Sequence, residues 1–362
     1  MFHNCASISA FRFIAKLRVC LVFVGSFFVS PMLLAAPSTP TNLDQAFPEK
    51  LSALNIYRRQ GELLVPAAAY TVYGVRYPLF SDYAFKQRLV SRASASEVHW
   101  RDGIAVFPEG TILVKSFYYR KKGNWRLENN ALYKDLDFDK VFEYSIDLNR
   151  NVMVETRVLA YKGGKWLPQV YKWNAQQTDA SRQPAGDLVP FTMWDSSHAS
   201  SFEYYIPEIS DCAECHGGYS VDRSIAPLGW REWHIVFGQE GNDVAFKNSA
   251  QPNVRAYLDA NCAYCHNPSG KARSSGLFLG VAVLDKTQLG LCKRPVAAGV
   301  AAGNGNYDIE PGNARRSIMV QRMQSTSPEK AMPEIGRSLV HQQAIHMVSD
   351  WINGLASVCP PQ

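Results

Sequence analysis

The stretch FPEGTILVKSFYY, residues 107–119, decides how the first two-thirds of the chain is read. From Thr111 it alternates. Ile112, Val114 and Ser116 fall on one side of an extended strand and Leu113, Lys115 and Phe117 on the other, because successive strand side chains point to opposite faces. Val152–Tyr161 alternates in the same way, and Lys122-Gly123-Asn124 and Lys162-Gly163-Gly164-Lys165 have the composition of hairpin turns. Short strands and turns at this spacing, from Glu97 to Trp173, predict an antiparallel sandwich or barrel. Before them, residues 37–95 are mixed, with a short helix expected at Pro48–Arg58. After them, Gln176–Gly186 is polar, carries Pro184 and reads as a loop.

Towards the C-terminus the period changes. Val254, Tyr257, Leu258 and Cys262 form a helical stripe, and Ile345, Val348, Ile352 and Leu355 form a second within Gln342–Leu355. The low-hydrophobicity segment Gln239–Asn253 is the natural boundary between the two patterns. The expected fold class is therefore α+β and multidomain: a mostly antiparallel β region over 37–238, then an all-α domain over 250–358.

Length and composition agree with two globular domains. The chain has 362 residues, 46% of them hydrophobic and 19% charged, enough to bury a substantial core. Residues 1–36 read as a cleavable export signal. Arg12, Lys16 and Arg18 precede the apolar run Val19–Val29, and Leu34-Ala35-Ala36 supplies a small-residue end. A retained membrane anchor is the alternative, but the run is shorter than the roughly 20 residues a span needs and is broken by Ser26 and Pro31. Removing the three basic residues takes the formal net charge from +6 to +3. No basic cluster with stacking aromatics argues for nucleic acid. The expected location is periplasmic, with no stable membrane span in the mature chain.

Export governs the cysteines. Cys5 and Cys20 leave with the signal. Cys212, Cys215, Cys262 and Cys265 belong to CAECH (212–216) and CAYCH (262–266). Cys292 and Cys359 remain and, in an oxidising compartment, are expected to form a disulfide.

The CxxCH spacing has a direct chemical meaning. Two thiols three residues apart can each form a thioether to a haem vinyl group, and the following histidine becomes the proximal iron ligand. Zinc in a four-cysteine site, thioredoxin-like redox pairs and disulfides among the four thiols are the competing readings. Zinc gives no reason for a histidine after both pairs, and the βαβ context of a thioredoxin motif is missing. Two covalent c-type haems are therefore expected, on Cys212, Cys215 and His216 and on Cys262, Cys265 and His266. The second motif ends an amphipathic helix, followed by Met332-Pro333 and a C-terminal helix, which is the layout of a cytochrome c domain. Met332 is the expected second axial ligand there. Met319 and Met323, spaced i, i+4, are rivals that more often serve as core.

The first motif lacks this layout. Only 50 residues separate Cys212 from Cys262, the preceding residues are β, and no methionine occurs between Met193 and Met319. Its sixth ligand is expected to be a histidine or no protein group. An open or water-bound site is weighed against His234, which lies in an apolar stretch with Trp230, Trp233 and Phe237, then His198 in a Ser-rich segment, with Met193 and remoter groups after them.

The chain also resembles a family of bacterial periplasmic di-haem c-type cytochromes of largely uncharacterised function. The similar stretches include PLFSDYAFKQR (78–88), FPEGTILVKSFYY (107–119), ETRVLAYKGGKWLPQVYKWNAQQTDA (155–180), YIPEISDCAECH (205–216), NCAYCHNPSG (261–270), LCKRPVAAGVAAG (291–303), IEPGNARRSIMVQRM (309–323) and MPEIGRSLVHQQAI (332–345). PLGWREWHIVFG (227–238) departs from the Pro-Ile-Gly segment associated with that family. The resemblance implies haem attachment at both motifs and names no substrate. Electron transfer between redox protein partners is the leading expectation. The alternatives are a peroxidase-like haem enzyme with an open first haem fed by the second, and a β binding module with an attached electron-transfer domain.

Overall fold

The alternating stretch around Lys115 becomes a central strand of the main sheet in the computed structural model, which describes residues 47–122, 131–133, 143–195, 198–218, 222, 224–237, 254–296, 305–356 and 359. The expected signal over 1–36, the boundary over 239–253 and part of the turn at 122–124 lie outside the described residues. In chain order the strands are β1 (Tyr57–Gln60), β2 (Leu63–Pro66), β3 (Tyr70–Val75), β4 (Phe85–Ser91), β5 (His99–Arg101), β6 (Ile104–Val106), β7 (Ile112–Lys121), β8 (Ala131–Tyr133), β9 (Ile146–Asp147), β10 (Asn151–Lys162), β11 (Lys165–Trp173), β12 (Ala180–Arg182), β13 (Asp187–Asp195), β14 (His198–Ile206) and β15 (Ile235–Phe237). The helices are α1 (Arg92–Glu97), α2 (Cys212–His216), α3 (Val254–Asn261), α4 (Ile318–Gln324) and α5 (Gln342–Asn353).

The main sheet runs β12-β11-β10-β7-β4-β3-β15, and β8, β13 and β14 join it beside β7. These pairings are antiparallel except that of β8 with β13. The β10–β11 hairpin turns at Gly163 and Gly164, with φ of 58° and 73°. A two-residue turn of this hand needs positive φ at both central positions, which glycine adopts without strain.

Alternation along β7 divides the sheet into two faces. Val114 is in register with Leu89 and Val158, and all three are buried in the larger core. Each such fully buried side chain contributes about 1.5–3 kcal/mol relative to exposure. On the other face Leu113 is in register with Val90 and Leu159, beside a small cluster with Tyr73, Trp230 and Ile235.

Three local expectations change. Pro48–Arg58 holds only a short 3-10 turn at Leu51–Leu54 before β1 begins. The polar 176–186 segment contains β12, which pairs with β11. The expected all-α cytochrome c domain is not found among the described residues, which are mostly β, 34% strand against 19% helix. The helical stripes at 254 and 342 are real, as α3 and α5, but they cover 8 and 12 residues, with only the 7-residue α4 and short 3-10 turns between them among the described residues. The physical reason lies in the intervening sequence, where Pro268, Gly270, Gly276, Gly280, Gly290, Pro295, Pro311 and Gly312 interrupt any helix.

The described residues belong to one compact unit. A second core of Leu258, Ile309, Val320, Val348 and Ile352 gathers the three C-terminal helices. Asp82, buried between β3 and β4, accepts the backbone N–H groups of Ser338 (2.9 Å) and Leu339 (2.7 Å). Asn261 accepts from Phe80 N–H at 2.8 Å, and the Tyr83 hydroxyl donates to Val340 O at 2.9 Å. These bonds tie the helical segment to the sheet. Cys292 and Cys359 form the expected disulfide.

Candidate functional site

Each CxxCH motif occupies a single helical turn, which brings positions i, i+3 and i+4 to one side. The first is α2 itself. In the second, Cys265 and His266 donate their backbone N–H groups to Cys262 O at 3.1 and 2.9 Å. Both motifs line one cavity of about 610 Å³, which receives Cys212, Cys215, His216, Cys262, Cys265 and His266.

The two turns pack against each other through backbone. A Cβ on Gly218 would fall 1.8 Å from the Tyr264 carbonyl oxygen, so only glycine permits this approach. Cys265 Sγ lies 3.7 Å from Glu214 O. Lys271 Nζ joins Glu214 at 2.9 Å and Glu334 at 3.4 Å, linking both motifs to the segment after Met332.

The histidines are arranged alike. His216 Nδ1 meets Ala226 O at 2.7 Å, and His266 Nδ1 meets Leu277 O at 3.2 Å. A carbonyl only accepts, so Nδ1 carries the proton and Nε2 is the nitrogen left for a metal. A hydrogen bond from the non-ligating ring nitrogen is the usual support of a metal-binding histidine. Burial, and then the charge of Lys115, holds His216 down at about 4; burial also lowers His266. Both rings are therefore neutral at ordinary pH, the form that ligates.

The thiols behave differently from reactive cysteines. None of the four motif cysteines forms a disulfide. Burial pushes Cys215 and Cys262 up to about 12 and also raises Cys212. A redox-active thiol would be shifted the other way. Among the described residues no group of three or more His, Cys, Asp or Glu side chains is arranged to hold a metal ion. A four-cysteine zinc site requires such a group, whereas a haem brings four of its iron's ligands itself. The residues fit covalent haem: Cys212, Cys215 and His216 would hold one, and Cys262, Cys265 and His266 the other.

Met332 lines the cavity, as do Met319 and Met323. The Met332 segment is pinned at the backbone: Met332 N–H donates to Arg322 O at 3.0 Å, and Arg337 donates to Met332 O at 2.8 Å and Ser325 O at 2.8 Å. Met319 and Met323 are buried in the helical core.

His234 is placed otherwise than expected. Its Nδ1–H donates to Gly229 O at 2.8 Å and its Nε2 accepts the Tyr77 N–H at 3.1 Å, and it does not line the cavity. Both ring nitrogens serve to fasten β15 beside β3, so His234 is a structural residue, not a sixth ligand. His198 is exposed on β14, and Met193 is buried in the β core. Neither lines the cavity.

Two features went unread in the sequence. His341 lines the cavity, stacked on Phe80 at 4.2 Å with Nδ1 3.2 Å from the Tyr257 hydroxyl. Burial lowers it to about 3. Nothing local distinguishes it from the other histidines. The second is a row of cations, Arg88, Lys115 and Arg157, on the sheet wall. Lys115 facing away from Val114 was visible in the alternation; its neighbours were not.

No known protein family, curated protein or solved structure was found to match the chain. Among the described residues no helix is long and apolar enough to cross a membrane. The functional reading rests on the site itself.

Proposed function

We propose that this protein is an exported di-haem c-type cytochrome that moves electrons between periplasmic redox partners through two adjacent haems. One observation carries the reading: both CxxCH turns face a single cavity, with the backbone of one in contact with the backbone of the other at Gly218 and Tyr264. Haem held there supplies one-electron chemistry at iron, with potential set by axial ligand, burial and surrounding charge. The chain's own residues fix the rest. Ala226 and Leu277 orient the proximal imidazoles, and Arg337 holds the Met332 segment in the cavity wall. Lys271 holds the two motifs in register through Glu214 and Glu334.

A second reading, a peroxidase-type haem enzyme working at the first site, is favoured by one observation. Neither histidine nearest the first motif is placed to serve it, since His234 is tied to backbone at both nitrogens and His198 lies outside the cavity. Mass spectrometry of protein made with the haem-attachment machinery tests the first reading, which requires two covalent haems. Protein that carries zinc and no haem would end it. Spectra of the reduced protein with carbon monoxide then separate the two readings, because only an open iron binds the gas.

A further inference from the structure

On the cavity face of the sheet, three cations stand directly opposite one another on adjacent strands. Arg88 on β4 is in register with Lys115 on β7, and Lys115 with Arg157 on β10. All three line the cavity beside the first motif. Like charges directly opposite across a sheet are destabilising, and a buried charge without a counter-ion is more so.

Among the described residues, Arg157 alone of the three is paired with a carboxylate. Glu155 receives Arg157 in a two-point contact, Nε to Oε2 at 3.0 Å and Nη2 to Oε1 at 2.5 Å, and also accepts the Tyr204 hydroxyl at 2.7 Å. Among the described residues, no carboxylate pairs with Arg88 or Lys115. Among the described residues, Arg88 makes one side-chain hydrogen bond, a long one to Lys86 O at 3.3 Å. Lys115 Nζ lies 5.4 Å from the Phe117 ring centre. The acids elsewhere on the cavity wall are already engaged: Glu214 and Glu334 with Lys271, Asp308 with Lys293 at 2.9 Å, and Asp211 with the Tyr205 hydroxyl. Among the described residues, the wall therefore presents Arg88 and Lys115 side by side with no carboxylate partner, and burial with the neighbouring Arg157 and Arg88 holds Lys115 down to about 7 in the absence of one.

We propose that Arg88 and Lys115 form an anion-binding site in the cavity wall facing the first CxxCH motif, built for a carboxylate or another small oxyanion. Arginine supplies a planar donor fork and lysine a point charge beside it, a pairing suited to a two-oxygen anion. Two sources carry that chemistry: the propionate carboxylates of the haem on Cys212, Cys215 and His216, or a free oxyanion entering the cavity. The inference rests on the haem reading only for the first source.

The test uses the haem-loaded protein with Lys115→Met, Arg88→Gln and the charge-retaining Lys115→Arg, together with formate titrated by calorimetry. If haem propionates fill the site, the midpoint potential of the first haem falls in Lys115→Met and Arg88→Gln, returns in Lys115→Arg, and wild-type protein takes up no formate. If the site receives a free oxyanion, wild-type protein binds formate with a shift in the first haem's bands, and binding weakens at least tenfold in the two neutral variants. Unchanged potential together with formate binding that is absent or indifferent to both neutral variants would overturn the proposal. Circular dichroism shows whether each variant folds, and Arg88→Gln stands in should Lys115→Met fail. If mass spectrometry finds no haem on the first motif, the haem reading falls by itself, and formate binding to the wild-type cavity, weakened or not in the neutral variants, decides the anion site.

Discussion

The two CxxCH motifs share a five-residue chemistry and the same backbone support for their histidines, yet they stand on different scaffolds. The first follows β14 and a 3-10 turn and faces a sheet whose wall carries Arg88, Lys115 and Arg157. The second follows the amphipathic helix α3 and shares a core with Met319 and Met323, with Met332 in the same cavity. A local motif therefore fixes what group is attached, while the scaffold behind it sets the charge and the ligands that group meets. If both motifs carry haem as proposed, the cationic wall beside the first and the sulfur-bearing helical core beside the second would give the two groups unequal surroundings.

The largest test of this contrast is attachment itself. Replacing Cys212 and Cys215 with serine should remove one haem of two and leave the other on Cys262 and Cys265, as read by intact mass. Loss of both would mean that the motifs are not independent sites. Next, carbon monoxide should leave the second reduced haem untouched, and binding at the first would favour the peroxidase-type reading over electron transfer. Met332→Ala should then open the second haem to the gas and lower its potential, since a thioether ligand favours reduced iron. If Met332→Ala leaves the spectrum alone and Met323→Ala alters it, the ligand is on α4.

The scaffolds differ in how they are held as well. The Cys292–Cys359 bridge spans 67 residues of the helical part. Its removal should cost about 4 kcal/mol on chain-entropy grounds, measured by denaturant titration of Cys292→Ser/Cys359→Ser. Asp82 fastens the sheet to that part, and burial raises its carboxyl from 3.8 to about 6 against the opposing effect of the Leu339 and Ser338 N–H groups. The folded protein thus holds this proton more tightly than the unfolded chain. The associated stability is complete below pH 3.8 and is lost as pH rises through 6, on the order of 3 kcal/mol in all. Asp82→Asn should flatten that part of the stability–pH curve; an unchanged curve would mean that Asp82 does not titrate there. The smallest effect belongs to Lys271→Ala. Its ion pairs are half exposed, at 45% for Lys271, and should be worth under about 1 kcal/mol.

The alternation around Lys115, the Gly163-Gly164 turn, the stripes of α3 and α5 and the pairing of Cys292 with Cys359 were all legible from residue order. Each depends on neighbours a few positions apart or, for the disulfide, on which thiols the motifs leave over. The all-α domain was misread because two genuine helical stripes were extended across a segment rich in glycine and proline. His234 was misread because an apolar neighbourhood says that a histidine is buried but not what its nitrogens meet.

By itself, the sequence determined the two CxxCH motifs on which the haem proposal rests, since each is complete within one helical turn and needs no distant partner. Tertiary structure alone decided that both turns share a cavity, that His234 is consumed by Gly229 and by Tyr77, 157 positions away, and that Lys115 stands between two arginines. Strand register decides that last arrangement. A slip of one residue in β4 or β10 would turn Arg88 or Arg157 to the opposite face, and composition cannot fix register between strands formed so far apart in the chain.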